Sequence, residues 1–363
     1  MQIKRRFIVA IGQIPPPTDG LAYITSEYVK LLSEDHDVKV LNISPRVGKR
    51  GVAYHFSRTV SVLLASMHLV FNARRGNRIC YMPCQSDFGV IYTVYLLTVA
   101  RLLQYPTYLH HHNFGYINEA RRMMRMVLHG GGPKVVHIFL CEPMRDRFGR
   151  TYWPPERSII VSNSAFVSPQ PKPSAFNARS SLRIGLLSNL NREKGLHIFL
   201  DLLRAARDEG LNICGTLAGP VREPADRLAL EMAQEELGDR LIYAGSVYGD
   251  EKLRFYTAID VFVFPTIYAN EAQPTVIYEA LAAGNLILTY ERGCIVSQVN
   301  DNGLVLSQDL PFVPHAMAWL KNLLERGSFD VRTMIANQTS ELHQVEREKA
   351  RTLFTVNTLD GSH

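Results

Sequence analysis

The chain has 363 residues, 46% of them hydrophobic, which is enough for two domains that each bury a full core. Its five cysteines are an odd number without a CxxC pair, which favours a reducing compartment and argues against a zinc site. No apolar run reaches the ~20 residues of a bilayer span, and the run at 7–14 is too short for a secretory signal. We therefore expect a cytoplasmic protein whose longest apolar runs, at 60–71 and 88–100, are buried helices.

Positive charge is concentrated in the first half of the chain. Residues 1–165 carry 21 lysines and arginines against 10 acidic residues, a net charge of +11, whereas residues 166–363 carry 19 against 24, a net charge of −5. A basic half suits nucleic acid, an anionic membrane face or an acidic acceptor. Nucleic acid is the weaker alternative, because no nucleic-acid-binding motif accompanies the arginines. A basic face that is merely solvated is the other interpretation.

Strands and helices alternate along both halves of the sequence, which predicts two α/β units. Short apolar runs predict buried parallel strands, and longer periodic runs predict the helices between them. The first half has predicted strands at 8–11, 38–43, 78–82, 107–112, 134–140 and 158–161, and helices at 23–32 and 88–103. A Pro- and Ser-rich segment at 167–181 predicts a linker. The second half has predicted strands at 182–187, 212–217, 241–245, 261–264 and 286–290, and helices at 197–209, 253–258, 274–284, 316–326 and 333–347.

Three consecutive histidines end the predicted strand at 107–112. Alternation along a strand places His110 and His112 on one face and His111 on the other. Adjacent residues of one strand cannot all point at one ion, so we expect no metal at this cluster. Polar side chains without a role at a strand end are the alternative interpretation.

The segment 260–284 has the pattern of a strand, a loop and a helix, and it carries two glutamates eight positions apart. Pro265 ends the strand and Pro274 suits the first turn of the helix, so Glu271 lies in the loop and Glu279 in the second helical turn. Ligands of α/β sheets bind beyond the carboxyl ends of the strands. Both carboxylates are therefore predicted to face one crevice and to accept hydrogen bonds from a polyol such as ribose or a hexose. In the alternative, both glutamates are ordinary solvated residues.

A second candidate site lies in the turn SNLNREKG at 188–195, between a predicted strand and a predicted helix. Backbone N–H groups and Lys194 at the helix N-terminus would bind a diphosphate. Arg192 lies in the same turn and would add positive charge. Both side chains are also consistent with solvated loop charges.

Seven residues separate Glu271 from Glu279, and small residues follow at Ala280, Ala282 and Gly284. This pattern resembles the signature of the retaining GT-B glycosyltransferases, the glycosyl transferases group 1. The resemblance implies an α/β fold of the GT-B type, with two Rossmann-like domains facing across a cleft. It also implies that Glu271 contacts the donor sugar and that Glu279 holds the ribose of the nucleotide. Residues 273–275 depart from the commoner glycine-containing pattern of this family.

Other positions of the family pattern are kept in part. The turn at 188–195 is similar to the family's Gly-Arg-Leu-x-x-x-Lys-Gly: Lys194 matches, Asn189 stands where the phosphate-binding arginine belongs, and Arg192 is the candidate replacement. Lys194 is expected to stabilise the departing diphosphate. The resemblance implies further contacts at the donor phosphates for Gly20, at the donor sugar for His112 and then His110, and at the base for Gly219 and Val247.

The resemblance also implies a domain organisation. An acceptor-side domain at 1–166 and a nucleotide-sugar-binding domain at 182–330 would be joined by the linker at 167–181. A terminal helix at 331–352 is expected to cross back toward the first domain, and residues 353–363 are predicted to be a loose tail.

The implied reaction is retaining transfer of a hexose from a nucleotide-diphospho-sugar to a sugar or lipid-linked acceptor, without a metal or a further cofactor. The basic first half suggests an acceptor at the inner face of the cytoplasmic membrane, as in cell-surface polysaccharide or glycolipid assembly. Two alternatives stay open, a nucleotide-sugar epimerase or hydrolase of the same architecture and a non-catalytic interaction module. Asn189 and the altered glycine pattern favour the interaction module.

Overall fold

The protein folds into two compact units, Met1–Phe166 with Gln344–His363, and Val167–His343. The structure is a computed structural model and describes residues 5–16, 20–44, 52–167, 181–326 and 331–354. Residues 168–180, most of the predicted linker, and residues 355–363, most of the predicted tail, lie outside the described residues.

The first unit is built on a six-stranded sheet in which all neighbouring strands are parallel. The strands are β1 (Phe7–Gly12), β2 (Asp37–Asn42), β3 (Arg78–Pro83), β4 (Thr107–His110), β5 (Val136–Phe139) and β6 (Ser158–Ile160). Their order in the sheet is β2-β1-β3-β4-β5-β6. The helices are α1 (Gly20–Asp35), α2 (Val52–Phe71), α3 (Val90–Leu102), α4 (Gly115–Asn118), α5 (Arg122–Gly131) and α6 (Glu142–Thr151).

Aromatic side chains fill the core of the first unit. Tyr28 of α1, Tyr81 of β3 and Tyr108 of β4 are almost fully buried. The ring of Phe354 packs edge-on against Tyr108, with the ring centroids 4.5 Å apart. Residues near the end of the chain therefore complete the core of the unit that the start of the chain begins.

The second unit is also built on a six-stranded parallel sheet. Its strands are β7 (Leu182–Leu187), β8 (Ile213–Ala218), β9 (Leu241–Tyr243), β10 (Val261–Phe264), β11 (Leu286–Tyr290) and β12 (Gly303–Leu306). The helices are α7 (Leu196–Asp208), α8 (Pro224–Leu237), α9 (Gly249–Ala258), α10 (Thr275–Ala282), α11 (Ile295–Val299), α12 (Phe312–Arg326) and α13 (Val331–Thr352). α13 begins in this unit and ends in the first, because the division falls between residues 343 and 344.

The strand order of the second unit is β12-β11-β10-β7-β8-β9, which is the order of a Rossmann sheet. The order reverses between β7 and β10, whose neighbouring positions make their following loops adjacent. β10 has the sequence VFVF and is buried along its whole length, as a central parallel strand requires. Two parallel six-stranded sheets with flanking helices confirm the predicted two-domain α/β fold.

β4 ends at His110, two residues earlier than predicted. The side chain of Asn113 accepts a hydrogen bond from the backbone N–H of Gly115 at 2.6 Å, and this turn leads the chain out of the sheet. The predicted alternation is nevertheless confirmed by the rings. His110 and His112 lie together with ring centroids 3.9 Å apart, whereas His111 stacks on Phe139 with a separation of 4.7 Å.

The apolar runs at 60–71 and 88–100 lie in α2 and α3, each of which buries one face and exposes the other, so the predicted burial is found on one face only. The exposed side chains are Val60, Leu63, Leu64, Met67, Val70, Phe71, Phe88, Ile91 and Tyr95. Hydropathy failed here because it reports how apolar a helix is, and α2 turns some of its polar side chains inward. Within the part of the chain that the structure describes, no helix combines the length and hydropathy needed to cross a membrane.

Candidate functional site

The loops that follow β7 and β10 form the candidate site of the second unit. β7 and β10 are neighbours at the point where the strand order reverses, and ligands of open α/β sheets bind beyond the strand ends at such a point. The first loop covers residues 188–195 and the second covers residues 265–274. The backbone N–H of Ile267 in the second loop donates to the Glu193 carbonyl of the first at 2.9 Å. The two loops are therefore joined directly.

The loop at 188–195 is shaped by local hydrogen bonds and one glycine. The side chain of Asn191 accepts a hydrogen bond from the backbone N–H of Lys194 at 2.8 Å. Gly195 has a φ of +88°, and a Cβ atom there would lie 2.5 Å from the ring of Pro265. Glycine is therefore required at position 195, and it starts α7 with Lys194 directly before it.

The structure brings Lys194 and Glu271 into direct contact. The Lys194 ammonium lies 2.5 Å from Oε2 of Glu271, which is buried. The Thr266 hydroxyl donates to the same carboxylate oxygen at 3.3 Å. The ammonium also lies over the ring of Tyr268, 4.7 Å from its centroid. This arrangement sets a positive group and an acceptor of hydroxyl hydrogen bonds side by side.

The backbone of the Glu271 loop is fixed by the turn that follows β11. Gly293 has a φ of +50°, and a side chain there would collide with the carbonyl groups of Glu271 and Ala272. The backbone N–H of Cys294 donates to the Ala272 carbonyl at 2.7 Å. The position of Glu271 therefore depends on close packing between two loops.

Glu279 lies in α10 and is held by two side chains of α9. The Lys252 ammonium lies 2.6 Å from Oε1, and the Tyr256 hydroxyl donates to Oε2 at 2.8 Å. Burial, reinforced by the charge of Glu279, raises the pKa of Tyr256 well above its usual value, so the phenol remains a donor. Sequence reasoning missed Lys252 and Tyr256. Their spacing of four residues, one helical turn, was the available signal.

Two further predicted residues lie near the ends of β8 and β9. Gly219 has a φ of +120°, and a Cβ atom there would collide with the Ser188 carbonyl, so this position also requires glycine. Its backbone N–H donates to the Gly245 carbonyl at 2.7 Å. Val247 is half-buried against the core of the second unit. Gly219 thus packs against the residue that begins the loop at 188–195.

Asn189 and Arg192 are exposed side chains of that loop. Leu190 between them is buried, and its backbone N–H donates to the Pro220 carbonyl at 3.0 Å. The loop is thereby anchored at its apolar residue, with Asn189 and Arg192 left on the solvent side. Their contacts with a donor stay a prediction.

The remaining predicted residues, Gly20, His110 and His112, belong to the first unit. Gly20 is exposed at the start of α1, where a Cβ atom would contact nothing within 4 Å. The Nδ1 atom of His110 hydrogen-bonds the Tyr81 hydroxyl at 2.9 Å. Loss of solvation lowers the pKa of His112 to about 3 and the pKa of His110 well below its usual value, so both rings are neutral near pH 7.

The Nε2 atoms of His110 and His112 have an unusual environment. Within the described residues, the Nε2 atoms of His110 and His112 are buried without a hydrogen-bond partner. Buried polar atoms are costly to leave without a hydrogen-bond partner. No group of three or more His, Cys, Asp or Glu side chains within the described ranges is arranged to hold a metal ion.

Comparisons with known proteins agree with this fold. Residues 174–322 match the family described as Glycosyl transferases group 1. The chain is similar to HepE from Anabaena in complex with UDP, with 13% identity over 97% of this chain and 100% of that chain and a TM-score of 0.71. The same HepE protein in complex with UDP-glucose matches with 13% identity over 96% and 100% and a TM-score of 0.69. Sucrose-phosphate synthase from Thermosynechococcus elongatus matches with 15% identity over 96% and 98% and a TM-score of 0.66.

No curated protein sequence matches the chain significantly. The structural neighbours share the fold at low identity, and the family match covers both loops of the candidate site together with Glu279. The chain therefore has the GT-B fold, and its residues 174–322 match the family described as Glycosyl transferases group 1.

Proposed function

We propose that the protein transfers a hexose from a nucleotide-diphospho-sugar to an acceptor hydroxyl with retention at the anomeric carbon. The observation that carries this proposal is the contact of Lys194 with Glu271 at 2.5 Å, beyond the strand ends where the sheet order reverses. This contact places a cation that could bind a diphosphate, Lys194, beside a carboxylate that could bind sugar hydroxyls, Glu271. The family match and the complexes of HepE with UDP and UDP-glucose support a nucleotide-sugar donor.

The diphosphate of the donor would bind the Lys194 ammonium and the N-terminus of α7, with Arg192 adding charge from the same loop. Asn189 would contribute a neutral amide where related enzymes have an arginine. As the bond between the anomeric carbon and the phosphate oxygen breaks, negative charge grows on that oxygen, and Lys194 stabilises it. The bond between the acceptor oxygen and the anomeric carbon forms, and the acceptor proton passes to the leaving phosphate.

Glu271 would accept hydrogen bonds from the sugar hydroxyls once the diphosphate draws Lys194 away. Glu279 would accept them from the ribose, because Lys252 and Tyr256 fix its carboxylate and each oxygen still has a further lone pair. Gly219 and Val247 would border the base. His112 and His110 would offer their Nε2 atoms to the donor sugar, and Gly20 would approach the phosphates.

The acceptor in this proposal is a sugar or a lipid-linked sugar used in cell-surface polysaccharide or glycolipid assembly. The net charge of +11 over residues 1–165 supports work at the inner face of an anionic membrane by a cytoplasmic protein. The donor substrate would be the only small molecule needed besides the acceptor.

Thermal stabilisation by nucleoside diphosphates tests the proposal. A ligand at 100 times its Kd stabilises the folded protein by about 2.7 kcal/mol. We expect UDP or GDP to raise the Tm, and Glu279→Gln to lose most of that rise, because the amide keeps the shape and removes the charge. The matched control is Glu235→Gln, an exposed glutamate of α8.

Three results would contradict parts of the proposal. The absence of a Tm shift with every nucleotide would favour the interaction module. Conversion of the donor without any acceptor would favour an epimerase or a hydrolase. An inverted configuration in the product would exclude the retaining mechanism.

A further inference from the structure

We propose that one face of the first unit docks onto an anionic lipid bilayer. This α2–α3 face consists of the exposed side chains of α2 and α3 together with the groove between α3 and α5. Its apolar side chains would enter the boundary between headgroups and acyl chains, and its arginines would contact lipid phosphates. The inference rests on the proposed function, which already expects an anionic membrane, and adds the surface of the protein that would contact it.

The first observation is a continuous apolar stripe on the exposed side of α2. The exposed residues recur at intervals of three or four, so they follow one side of the helix for its whole length. Phe56 is 71% exposed and Phe71 is 75% exposed. The stripe consists of Val52, Phe56, Val60, Leu63, Leu64, Met67, Val70 and Phe71.

The opposite side of α2 carries polar groups toward the protein. Arg58 is buried and donates to the side chain of Gln85 at 2.8 Å, and Ser66 accepts a hydrogen bond from the Tyr95 hydroxyl at 3.0 Å. The same side buries Val62, Ala65 and Leu69, so α2 is apolar on both its inner and its outer side, whereas an ordinary surface helix has a polar outer side. An apolar outer side of this length marks an interaction surface rather than a scatter of exposed residues.

α3 and α5 extend the surface beyond α2. Phe88, just before α3, is 84% exposed, and Ile91 and Leu102 of α3 are exposed as well. Between α3 and α5 lies a groove of about 490 Å³. Val94, Met126 and Trp153 contribute apolar side chains to its lining, and Arg125 and His129 contribute basic ones. Tryptophan and arginine together are typical of surfaces at the membrane boundary.

The positive charge around the α2–α3 face indicates an anionic lipid surface as its partner. Residues 52–134 contain nine lysines and arginines and only two acidic residues. Arg122 and Arg125 are exposed on α5, and no acidic side chain of the described residues forms an ion pair with either. Basic residues beside an apolar helical face are attracted to anionic lipids. A second copy of the chain fits less well, because a two-fold interface would place the same basic face against itself.

Sedimentation with vesicles tests the proposal on the full chain. The probes are vesicles of phosphatidylcholine alone and vesicles that also contain phosphatidylglycerol. We expect at least tenfold stronger binding to the anionic vesicles at low salt, with binding weakened as salt increases. Phe56→Glu with Met67→Glu should reduce this binding at least tenfold. The matched control is Leu228→Glu with Met232→Glu, two side chains of α8 that are 57% and 58% exposed.

Charge and insertion are tested separately. Arg122→Glu with Arg125→Glu should weaken binding and flatten its salt dependence, whereas Arg222→Glu, an exposed arginine of the second unit, should change neither. Trp319→Phe leaves Trp153 as the only tryptophan. Its emission should shift to shorter wavelength on anionic vesicles and stay unchanged with phosphatidylcholine alone.

Any of four results would contradict the proposal that the α2–α3 face docks onto an anionic bilayer. Equal binding to both vesicle types, no binding at low salt, or an equal loss in the α8 control would each do so. So would a homodimer that the α2 variant dissociates without any change in vesicle binding. These readouts use no donor and no turnover, so their failure would leave the nucleotide test of the transferase function intact.

Discussion

Two lysine–glutamate pairs of the second unit have nearly the same length and different supports. Lys194 and Glu271 lie 2.5 Å apart on two loops, while Lys252 and Glu279 lie 2.6 Å apart on two helices. Glu279 has a second close partner, the Tyr256 hydroxyl at 2.8 Å. The second partner of Glu271 is the Thr266 hydroxyl at 3.3 Å, a weaker bond.

The weaker second hydrogen bond at Glu271 suits a pair that exchanges partners, and the two strong contacts at Glu279 suit a pair that keeps its position. Close packing at Gly195 and Gly293 fixes the backbone of both loops, so an exchange of partners in the loop pair requires movement of the Lys194 side chain alone. Under the proposed function, the loop pair is therefore the one expected to exchange charge with the donor diphosphate. The helical pair keeps the Glu279 carboxylate oriented, and its lysine is a positioning residue.

The largest difference is expected between the two lysines. Under the proposed function, Lys194→Ala removes the group that would stabilise the leaving diphosphate, and we expect a rate lower by about 100- to 1,000-fold, as for the loss of one such contact. Lys252→Ala leaves Tyr256 on Glu279, so we expect a loss of about tenfold or less, expressed mainly as a higher KM for the donor. Steady-state kinetics with the donor varied measures both. Equal losses in kcat/KM would remove the distinction between the pairs.

The backbone that presents Lys194 gives the next largest effect. Gly195→Ala forces a left-handed conformation and a clash with Pro265, so we expect a loss of about 2–3 kcal/mol in unfolding free energy. Gly210→Ala is the matched control, because Gly210 has a φ of +68° with nothing within 4 Å of its Cβ position. It should cost about 1–2 kcal/mol. Denaturant unfolding measures both, and the same cost at both positions would mean that the contact with Pro265 is unimportant.

The smallest effect concerns the second partner of Glu279. Tyr256→Phe removes one hydrogen bond to a carboxylate and keeps the ring, so we expect a loss of about 1.5 kcal/mol in stability. Tyr248→Phe, at an exposed position before α9, should have no measurable effect. Thermal unfolding compares the two variants. If Tyr256→Phe lowers nucleotide binding as strongly as Glu279→Gln, the tyrosine contacts the ligand and is more than a support.

The site residues that were predicted from the sequence follow from patterns within one short segment of the chain. Pro265 and Pro274 delimit the loop that carries Glu271, and the spacing to Glu279 follows from the helix that begins after it. Lys252 was not predicted because its partner Glu279 lies 27 residues away along the chain, and only the tertiary structure brings the two side chains together. The salt bridge of Lys194 with Glu271 spans 77 residues and follows from the strand order, which no local pattern contains.

The prediction that the run at 60–71 is buried on all sides failed for a different physical reason. The sequence shows an apolar run at 60–71, and burial is the usual outcome for such a segment. What the sequence does not show is that the side chains of Gln85 and Tyr95 form hydrogen bonds with polar groups of this helix. These bonds and the buried Val62, Ala65 and Leu69 hold one side of the helix against the protein, and the second apolar side is exposed.

The contact between Lys194 and Glu271 also bears on product departure. In the proposed reaction the leaving diphosphate takes up the acceptor proton, and once that proton has passed to solvent the product carries one more negative charge than the donor did, so its attraction to the lysine is stronger. Glu271 is a neighbouring carboxylate that can take the ammonium back as the diphosphate withdraws. Product release limits the turnover of many enzymes. A carboxylate that competes for the same cation would shorten the residence time of the product and raise the number of turnovers per second.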